Sequence, residues 1–361
     1  FLTTLVQLLL VCLICSGCWF KQSAPITHTP PPAAKEGTES GAPHAYQQTG
    51  LVDASGQESL TEKFAYILPL EEEPRLAAVM LSDTKWAFVK PDGEFAFDGR
   101  FEQGTGFREG LAVVQQDGKY GFVLPDGTFA VKPEFEFADW AGFHDGLCEV
   151  RSGETSAYVD KEGKIVIPYQ RELFKAGNFR GGLTHYSKDG EEIFIDTQGK
   201  ESFRSSLPGP FRYGDDLWVA GEENVTYLDA QGRDVLGKTF AAGRPFRDGL
   251  AAAKNEKGWG LIDKTGKFVI EPQYEDAETL TETLFAARKD GKWGVFKTTG
   301  EQVVPFEYDE IGYPSGGMVP VKVGTLWGLC DESGKLAVQP KYKSLHPWRD
   351  DKHFIFHIEG Q

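Results

Sequence analysis

The 361-residue chain is short of basic side chains: 38 Lys and Arg stand against 54 Asp and Glu, a formal net charge of −16. Nucleic acid is thereby disfavoured as a partner, since binding it needs a basic face to replace the counterions of the phosphates. There are five cysteines, and three of them, Cys12, Cys15 and Cys18, fall in the first 18 residues. Cys148 and Cys330 remain, far apart in sequence at positions that related segments fill with Ala and Ile, so they read as small buried hydrophobes and not as a disulfide. The apolar opening, Leu2 to Ile14 broken only by Thr3, Thr4 and Gln7, is shorter than the roughly 20 residues that span a bilayer. From about residue 50 onward no stretch has the length and 3.6-residue period of a helix.

Signs of catalysis are also scarce. No Gly-x-Ser-x-Gly elbow occurs, and neither Cys148 nor Cys330 has a nearby His in sequence. Gly232-Arg233-Asp234-Val235-Leu236-Gly237-Lys238-Thr239 satisfies the P-loop pattern. A phosphate cradle must open a helix, and Phe240-Ala241-Ala242-Gly243-Arg244-Pro245 leaves no room for one, so nucleotide binding is not expected. His353 and His357 have zincin spacing without the catalytic Glu, and in a strand they stand about 13 Å apart, so no metal is expected there. The recurrent Asp-x-x-Gly stretches read as turns, because Lys or Thr often fills the middle where a calcium loop needs oxygen ligands. Carboxylate runs at Glu71 to Glu73, Asp215-Asp216 and Glu222-Glu223 leave a glycosidase pair open, since such pairs are defined by separation in space.

What the chain has in abundance is one phrase, clearest as Lys257-Gly258-Trp259-Gly260-Leu261-Ile262-Asp263-Lys264-Thr265-Gly266-Lys267. Its last glycine recurs at Gly93, Gly127, Gly163, Gly199, Gly232, Gly266, Gly300 and Gly334, in steps of 33 to 36 residues. A Gly held at one slot while others drift indicates a turn residue at positive φ, which a Cβ disfavours by about 1 kcal/mol. Seven positions earlier lies a slot filled by Trp86, Tyr120, Ser156, Glu192, Val225, Trp259, Trp293 and Trp327; the aromatic is lost in the three central copies. Apolar runs flank each turn, the later one closed by Pro133, Pro168, Pro272, Pro305 or Pro340, and a third run such as Gly249-Leu250-Ala251-Ala252-Ala253 opens the unit. Each unit is expected to be a three-stranded antiparallel meander whose last strand ends at the proline.

Half-units lie at both ends. Gly50-Leu51-Val52-Asp53-Ala54-Ser55-Gly56 copies Gly260 to Gly266, so the array starts without a first strand. Trp348-Arg349-Asp350-Asp351 and the run to Ile358 resemble Phe246-Arg247-Asp248-Gly249 and its strand, so the array stops after a first strand. The complementary halves favour an all-β, propeller-like ring of about eight units latched by the two termini, which removes exposed edges. An open solenoid or arc, capped by the halves, is the alternative.

The phrase Gly-Lys-Trp-Gly-(Leu/Val/Phe)-(Ile/Val)-Asp-x-x-Gly, with Phe-x-x-Gly-Leu-Ala before it and Val-Ile-x-Pro-x-(Tyr/Phe) after it, resembles the bacterial WG-repeat (KWG-repeat) family over about residues 50 to 358. The resemblance implies an all-β array, often on exported or membrane-attached proteins, with no established catalytic residues.

Residues 1 to 17 have the apolar core of a signal peptide, and Cys15-Ser16-Gly17-Cys18 resembles a lipobox, with Cys15 where Leu is usual. Cys18 is the expected lipidation site. The chain starts at Phe1 with no Lys or Arg before the core, so a longer natural start is expected. Residues 18 to 45, rich in Pro, Thr, Ser, Ala and Gly, are expected to be a disordered tether, and 46 to 361 the repeat domain. The expected protein is an exported, lipid-anchored binding or scaffold module for an envelope protein or glycan, without a cofactor. An envelope glycan hydrolase is the alternative. Trp140 and Trp218, aromatics outside the repeated slots, are the candidate contact residues, against the plainer reading that they plug gaps in degenerate units.

Overall fold

The computed structural model describes residues 48–59, 64–68, 74–90, 92–174, 176–207, 209–348 and 353–358. The signal segment, Cys18, the tether, Glu71 to Glu73 and Arg349 to Lys352 lie outside the described residues. Contacts group the chain as 1–36 and 37–361, and all that follows concerns the second unit. Among the described residues there is no helix; the strands form nine small antiparallel sheets, arranged in a ring as the blades of a propeller.

Blade 1 is Tyr66–Ile67, Ala77–Met80 and Trp86–Val89. Blade 2 is Gln103–Gly104, Ala112–Gln116, Lys119–Val123 and Phe129–Phe135. Blade 3 is Phe137–Ala138, Cys148–Ser152, Thr155–Val159 and Ile165–Gln170. Blades 4 and 5 have three strands each: Leu183–Lys188, Glu191–Asp196 and Glu201–Ser205, then Arg212–Gly214, Leu217–Ala220 and Thr226–Leu228. Blade 6 is Ala242–Gly243, Leu250–Asn255, Gly258–Asp263 and Phe268–Tyr274. Blade 7 is Asp276–Thr279, Leu284–Lys289, Lys292–Lys297 and Gln302–Tyr308. Blade 8 is Glu310–Ile311, Met318–Val323, Leu326–Asp331 and Leu336–Tyr342.

Blade 9 joins the two ends of the array. Ser344–Trp348 and His353–Ile358 supply two strands, Gln48–Asp53 and Glu58–Ser59 the others, and Gln48 to Asp53 pairs with Ile358 to His353 along its whole length. The latch expected from the half-units is present. The open arc is excluded, because apolar contacts continue across the seam on both sides: Leu51 and Ile355 cluster with Ile67 and Val79 of blade 1, while Val52 and Phe354 cluster with Leu329 and Val338 of blade 8.

Every blade is sandwiched between two neighbours, so its middle strands bury both faces and read as unbroken apolar runs. Val113 and Phe122 of blade 2 cluster with Cys148, Val150 and Ala157 of blade 3, and the opposite face of blade 3, with Leu147, Tyr158 and Ile167, meets Ile193 and Ile195 of blade 4. Both cysteines are buried and free. In blades 2, 3, 6, 7 and 8 one edge of the four-stranded sheet, the strand bearing the proline, exposes alternate residues; it is therefore the outer edge, and the short strand at the other edge is the inner one.

Two expectations need correction. Six of the nine sheets have four strands, because a short inner strand precedes the expected three; its two to five residues are too few to show a period in sequence. Pro133, Pro168, Pro272, Pro305 and Pro340 lie inside their outer strands instead of ending them. Proline is tolerated there because the register shifts beside it, and an edge strand has no further neighbour to hydrogen-bond. This irregularity explains the glycine of the Trp-Gly pair. A Cβ on Gly260 would stand 2.3 Å from Ile270 O and 2.9 Å from Pro272 N, and one on Gly328 would stand 2.4 Å from Val338 O and 2.8 Å from Pro340 N. The bulged outer strand presses its backbone onto the third strand, and only glycine admits it.

Candidate functional site

The eight turn glycines, Gly93, Gly127, Gly163, Gly199, Gly232, Gly266, Gly300 and Gly334, all have φ between 72° and 93°, as does Gly56 of the split blade. Each donates its N–H to the carbonyl three residues back, as Gly266 does to Asp263 at 2.8 Å. Where Asp opens the turn, its Oδ1 caps the following amides: Asp263 accepts from Thr265 N–H at 2.8 Å and Lys267 N–H at 3.2 Å. These carboxylates are spent on backbone donors. Among the described residues no group of three or more His, Cys, Asp or Glu is placed to hold a metal. The P-loop look-alike begins at the left-handed Gly232 and continues as irregular chain, with Asp234 Oδ1 accepting from Leu236 and Gly237 N–H groups.

The slot seven residues before each glycine faces one residue of the outer strand. In the regular blades both partners are aromatic: Trp259 opposite Tyr274, Trp293 opposite Tyr308, Trp327 opposite Tyr342, Tyr120 opposite Phe135. In blade 3 the pair is Ser156 and Gln170, in blade 4 Glu192 and Ser205. Polar networks fill the space the rings vacate. Ser156 donates to Glu149 Oε1 at 2.6 Å, and Arg151 holds both oxygens of Glu149, Nε to Oε1 at 2.7 Å and Nη2 to Oε2 at 3.1 Å. Glu149 is 1% exposed, and the Arg151 guanidinium lies over Phe137 and Phe174. In blade 4, Glu192 takes His185 Nδ1 at 2.8 Å and the hydroxyl of Ser187.

Further titratable groups are buried within blade 3. Burial pushes the Asp139 carboxyl up, its hydrogen bond from Ala141 N–H opposes that, and the Glu149 charge adds to the rise. Burial likewise pushes up the Cys148 thiol and the Tyr158 phenol, which donates to Gly177 O at 2.5 Å. The Asp139 carboxyl feels the Glu149 charge, but both Glu149 oxygens are occupied by Arg151 and Ser156.

The inner loops of blades 2 to 4 carry Arg108, His144 and Arg180, one on each blade and each just before a tight left-handed turn. Sequence reasoning passed over them, although all three precede the repeated Gly-Leu step. Trp140 sits half-buried on the same loop as His144, its ring edge-on to Tyr120 with centroids 6.5 Å apart. Trp218 is a correction as a surface contact: at 2% exposure it is core of blades 4 and 5, wedged among His185, Phe194 and Tyr213. It fills the volume beside two blades that lack the slot aromatic. Asp215 accepts from Gly249 N–H at 2.6 Å and Asp216 from the Tyr213 hydroxyl at 3.0 Å, so that carboxylate pair is also structural.

Nine antiparallel blades, one completed by both ends of the array, define a closed β-propeller. Four stretches match the family model described as WG containing repeat: residues 86–120, 259–293, 293–324 and 327–356. Each runs from one slot residue to the next blade or beyond, and together they leave out 121–258, where the slot turns polar or aliphatic. No curated protein matches the sequence. Among solved structures, one described as the eukaryotic initiation factor is similar at TM-score 0.54 and 8% identity, over 86% of this chain and 98% of that one. BamB from Moraxella catarrhalis is similar at TM-score 0.41 and 12% identity, over 82% and 98%. At such identities the likeness concerns the fold alone.

Proposed function

We propose that this chain is an exported, lipid-anchored binding module of the bacterial cell envelope, held to a membrane through Cys18 and presenting the propeller to an envelope protein or glycan. The observation that carries the reading is the concentration of departures from the repeat in blades 3 to 5. A propeller needs its slots only for packing, yet here blades 3 and 4 replace aromatic pairs with polar networks, beside inner loops that set Arg108, His144 and Arg180 next to one another. Repeat scaffolds vary for recognition in this way, keeping the stack while changing loops on one side. The apolar Leu2 to Ile14 and the Ser16-Gly17-Cys18 step support export and acylation, and a multiply acylated Cys is a stable anchor at about 0.8 kcal/mol per buried methylene.

The anchoring part is tested by palmitate labelling in a bacterial host. Label is expected on the wild type and absent from Cys18→Ala, and recovery of unlabelled wild type from the cytosol overturns it. The binding part is tested by cross-linking the anchored chain in intact envelopes. A discrete adduct that disappears when the inner loops of blades 2 to 4 are each replaced by the Ser315-Gly316-Gly317-Met318 loop of blade 8 supports the reading; an adduct indifferent to that exchange goes against it.

A further inference from the structure

Blades 2, 3 and 4 share with blade 6 one inner loop, and in these three it stands on successive blades: Arg108-Glu109-Gly110-Leu111, His144-Asp145-Gly146-Leu147 and Arg180-Gly181-Gly182-Leu183. In each, two residues at positive φ reverse the chain, and the backbone of Arg108, His144 or Arg180 pairs with that of Leu111, Leu147 or Leu183. The loops are joined side by side through backbone amides. Glu109 Oε2 accepts from Gly146 N–H at 3.0 Å, and Asp145 Oδ2 accepts from Gly182 N–H at 2.8 Å. The side chains of Arg108, His144 and Arg180 are therefore neighbours along one rim.

Both carboxylates of these loops have other work. Besides the Gly146 amide, Glu109 receives Lys161 Nζ at 3.2 Å, and Asp145 faces Arg180 without pairing with it. The half-buried Arg180 guanidinium makes no hydrogen bond or ion pair among the described residues. His144 is 8% exposed; its ring is tied to the Ala141 backbone, and Nε2 has no hydrogen-bond partner among the described residues. Burial, then the charges of Arg108 and Arg180, lower its pKa to about 3, so the ring is neutral at ordinary pH. Two guanidinium groups on a strongly acidic protein, beside a buried ring nitrogen that can take up a proton, are an arrangement that a bound anion completes.

We propose that Arg108, His144 and Arg180 enclose a binding site for an oxyanion, a phosphate or a carboxylate group of the ligand, at the inner rim of blades 2 to 4. The proposal rests on the binding-module reading and names the chemistry that module recognises. Guanidinium forks match both groups geometrically, and an anion between the cations offsets their mutual repulsion. It also favours a proton on His144 Nε2, which then donates to the anion. The charged groups facing that ring are Arg108 and Arg180, with Glu109, Asp145 and Lys161 behind them.

The test is calorimetric titration of the full chain with sodium phosphate and, separately, sodium acetate, at constant ionic strength with chloride as control. Saturable binding of at least one is expected, weakened about tenfold or more in Arg180→Gln and unchanged in Arg233→Gln, whose side chain is 74% exposed on blade 5. Phosphate alone points to a phosphorylated ligand, and response to both points to a carboxylate-bearing one. His144→Gln is the second variant should Arg180→Gln fail to melt like the wild type. No saturable heat with either anion, or equal binding by the variants, overturns the site. Envelope adducts that form normally in Arg180→Gln sink this site and leave the binding module standing; anion binding without any adduct does the reverse.

Discussion

In blades 6, 7 and 8 the slot holds Trp259, Trp293 or Trp327 facing a tyrosine, and Gly260, Gly294 or Gly328 follows it beneath the bulged outer strand. In blades 3, 4 and 5 the slot holds Ser156, Glu192 or Val225, and Ala157, Ile193 or Thr226 stands where that glycine would be. The backbone plan survives both fillings: blade 3 keeps a shifted register around Ser156 and Tyr158, as blade 6 does around Trp259 and Leu261. A propeller blade thus requires its turns and the apolar faces of its middle strands more strictly than it requires any one ring. The regular sector stabilises itself by burying aromatic surface; the slots of blades 3 and 4 must satisfy hydrogen bonds instead, which makes them more easily broken by loss of a single partner.

The comparison can be broken most directly at the slots. Trp293→Ala should cost about 4 kcal/mol, since Trp293 is 1% exposed and leaves a large cavity. Glu149→Leu should cost about 3 kcal/mol for a different reason, the stranding of Arg151. Urea denaturation measures both, and a Glu149→Leu protein as stable as wild type would show that the polar network is ornamental. Next in size, Gly260→Ala should cost about 2 kcal/mol through the clash with Ile270 O, whereas Ala157→Gly at the matching place in blade 3 should cost under about 1 kcal/mol. Similar losses at the two sites would mean that the bulge is not what selects glycine. Gly300→Ala should cost about 1 kcal/mol, because its φ of 93° is unfavourable to a Cβ that otherwise meets open space.

The smallest effect is expected at the seam between blades 8 and 9. Glu58 accepts from Lys341 Nζ and the Tyr342 hydroxyl, both at 2.6 Å. Partial burial pushes its carboxyl up, but those two hydrogen bonds and the Lys341 charge outweigh this and leave it below the ordinary range. A lowered carboxyl contributes stability that is present above its unfolded pKa and lost as the pH falls through the folded value. Glu58→Gln should therefore lower the melting temperature slightly at neutral pH and flatten its fall in acid. An unchanged acid slope would mean that Glu58 has no part in latching the ring.

Much of the architecture is legible because it rests on local needs repeated in register. Gly266 and its counterparts need positive φ, and Gly50 to Gly56 beside His353 to Ile358 reveals a split blade before any coordinate is seen. The prolines mislead because Pro272 can end a strand or sit at a bulge, and only the adjoining Gly260 decides between them. Trp218 misleads because a Trp outside the repeat looks spare until the missing aromatics of blades 4 and 5 show the gap it fills. Arg108, His144 and Arg180 hold one slot of successive repeats, 36 residues apart, but Arg247 of blade 6 holds it too, so the sequence does not single the three out as one group.

By itself the sequence determined the repeat length, the turn positions and the complementary ends, since each depends on φ angles and on strands that must pair. Tertiary structure alone decided that the ring closes at nine blades, which rings are buried and which polar groups meet. Those outcomes depend on distances between blades, and distances are set when all the sheets pack at once.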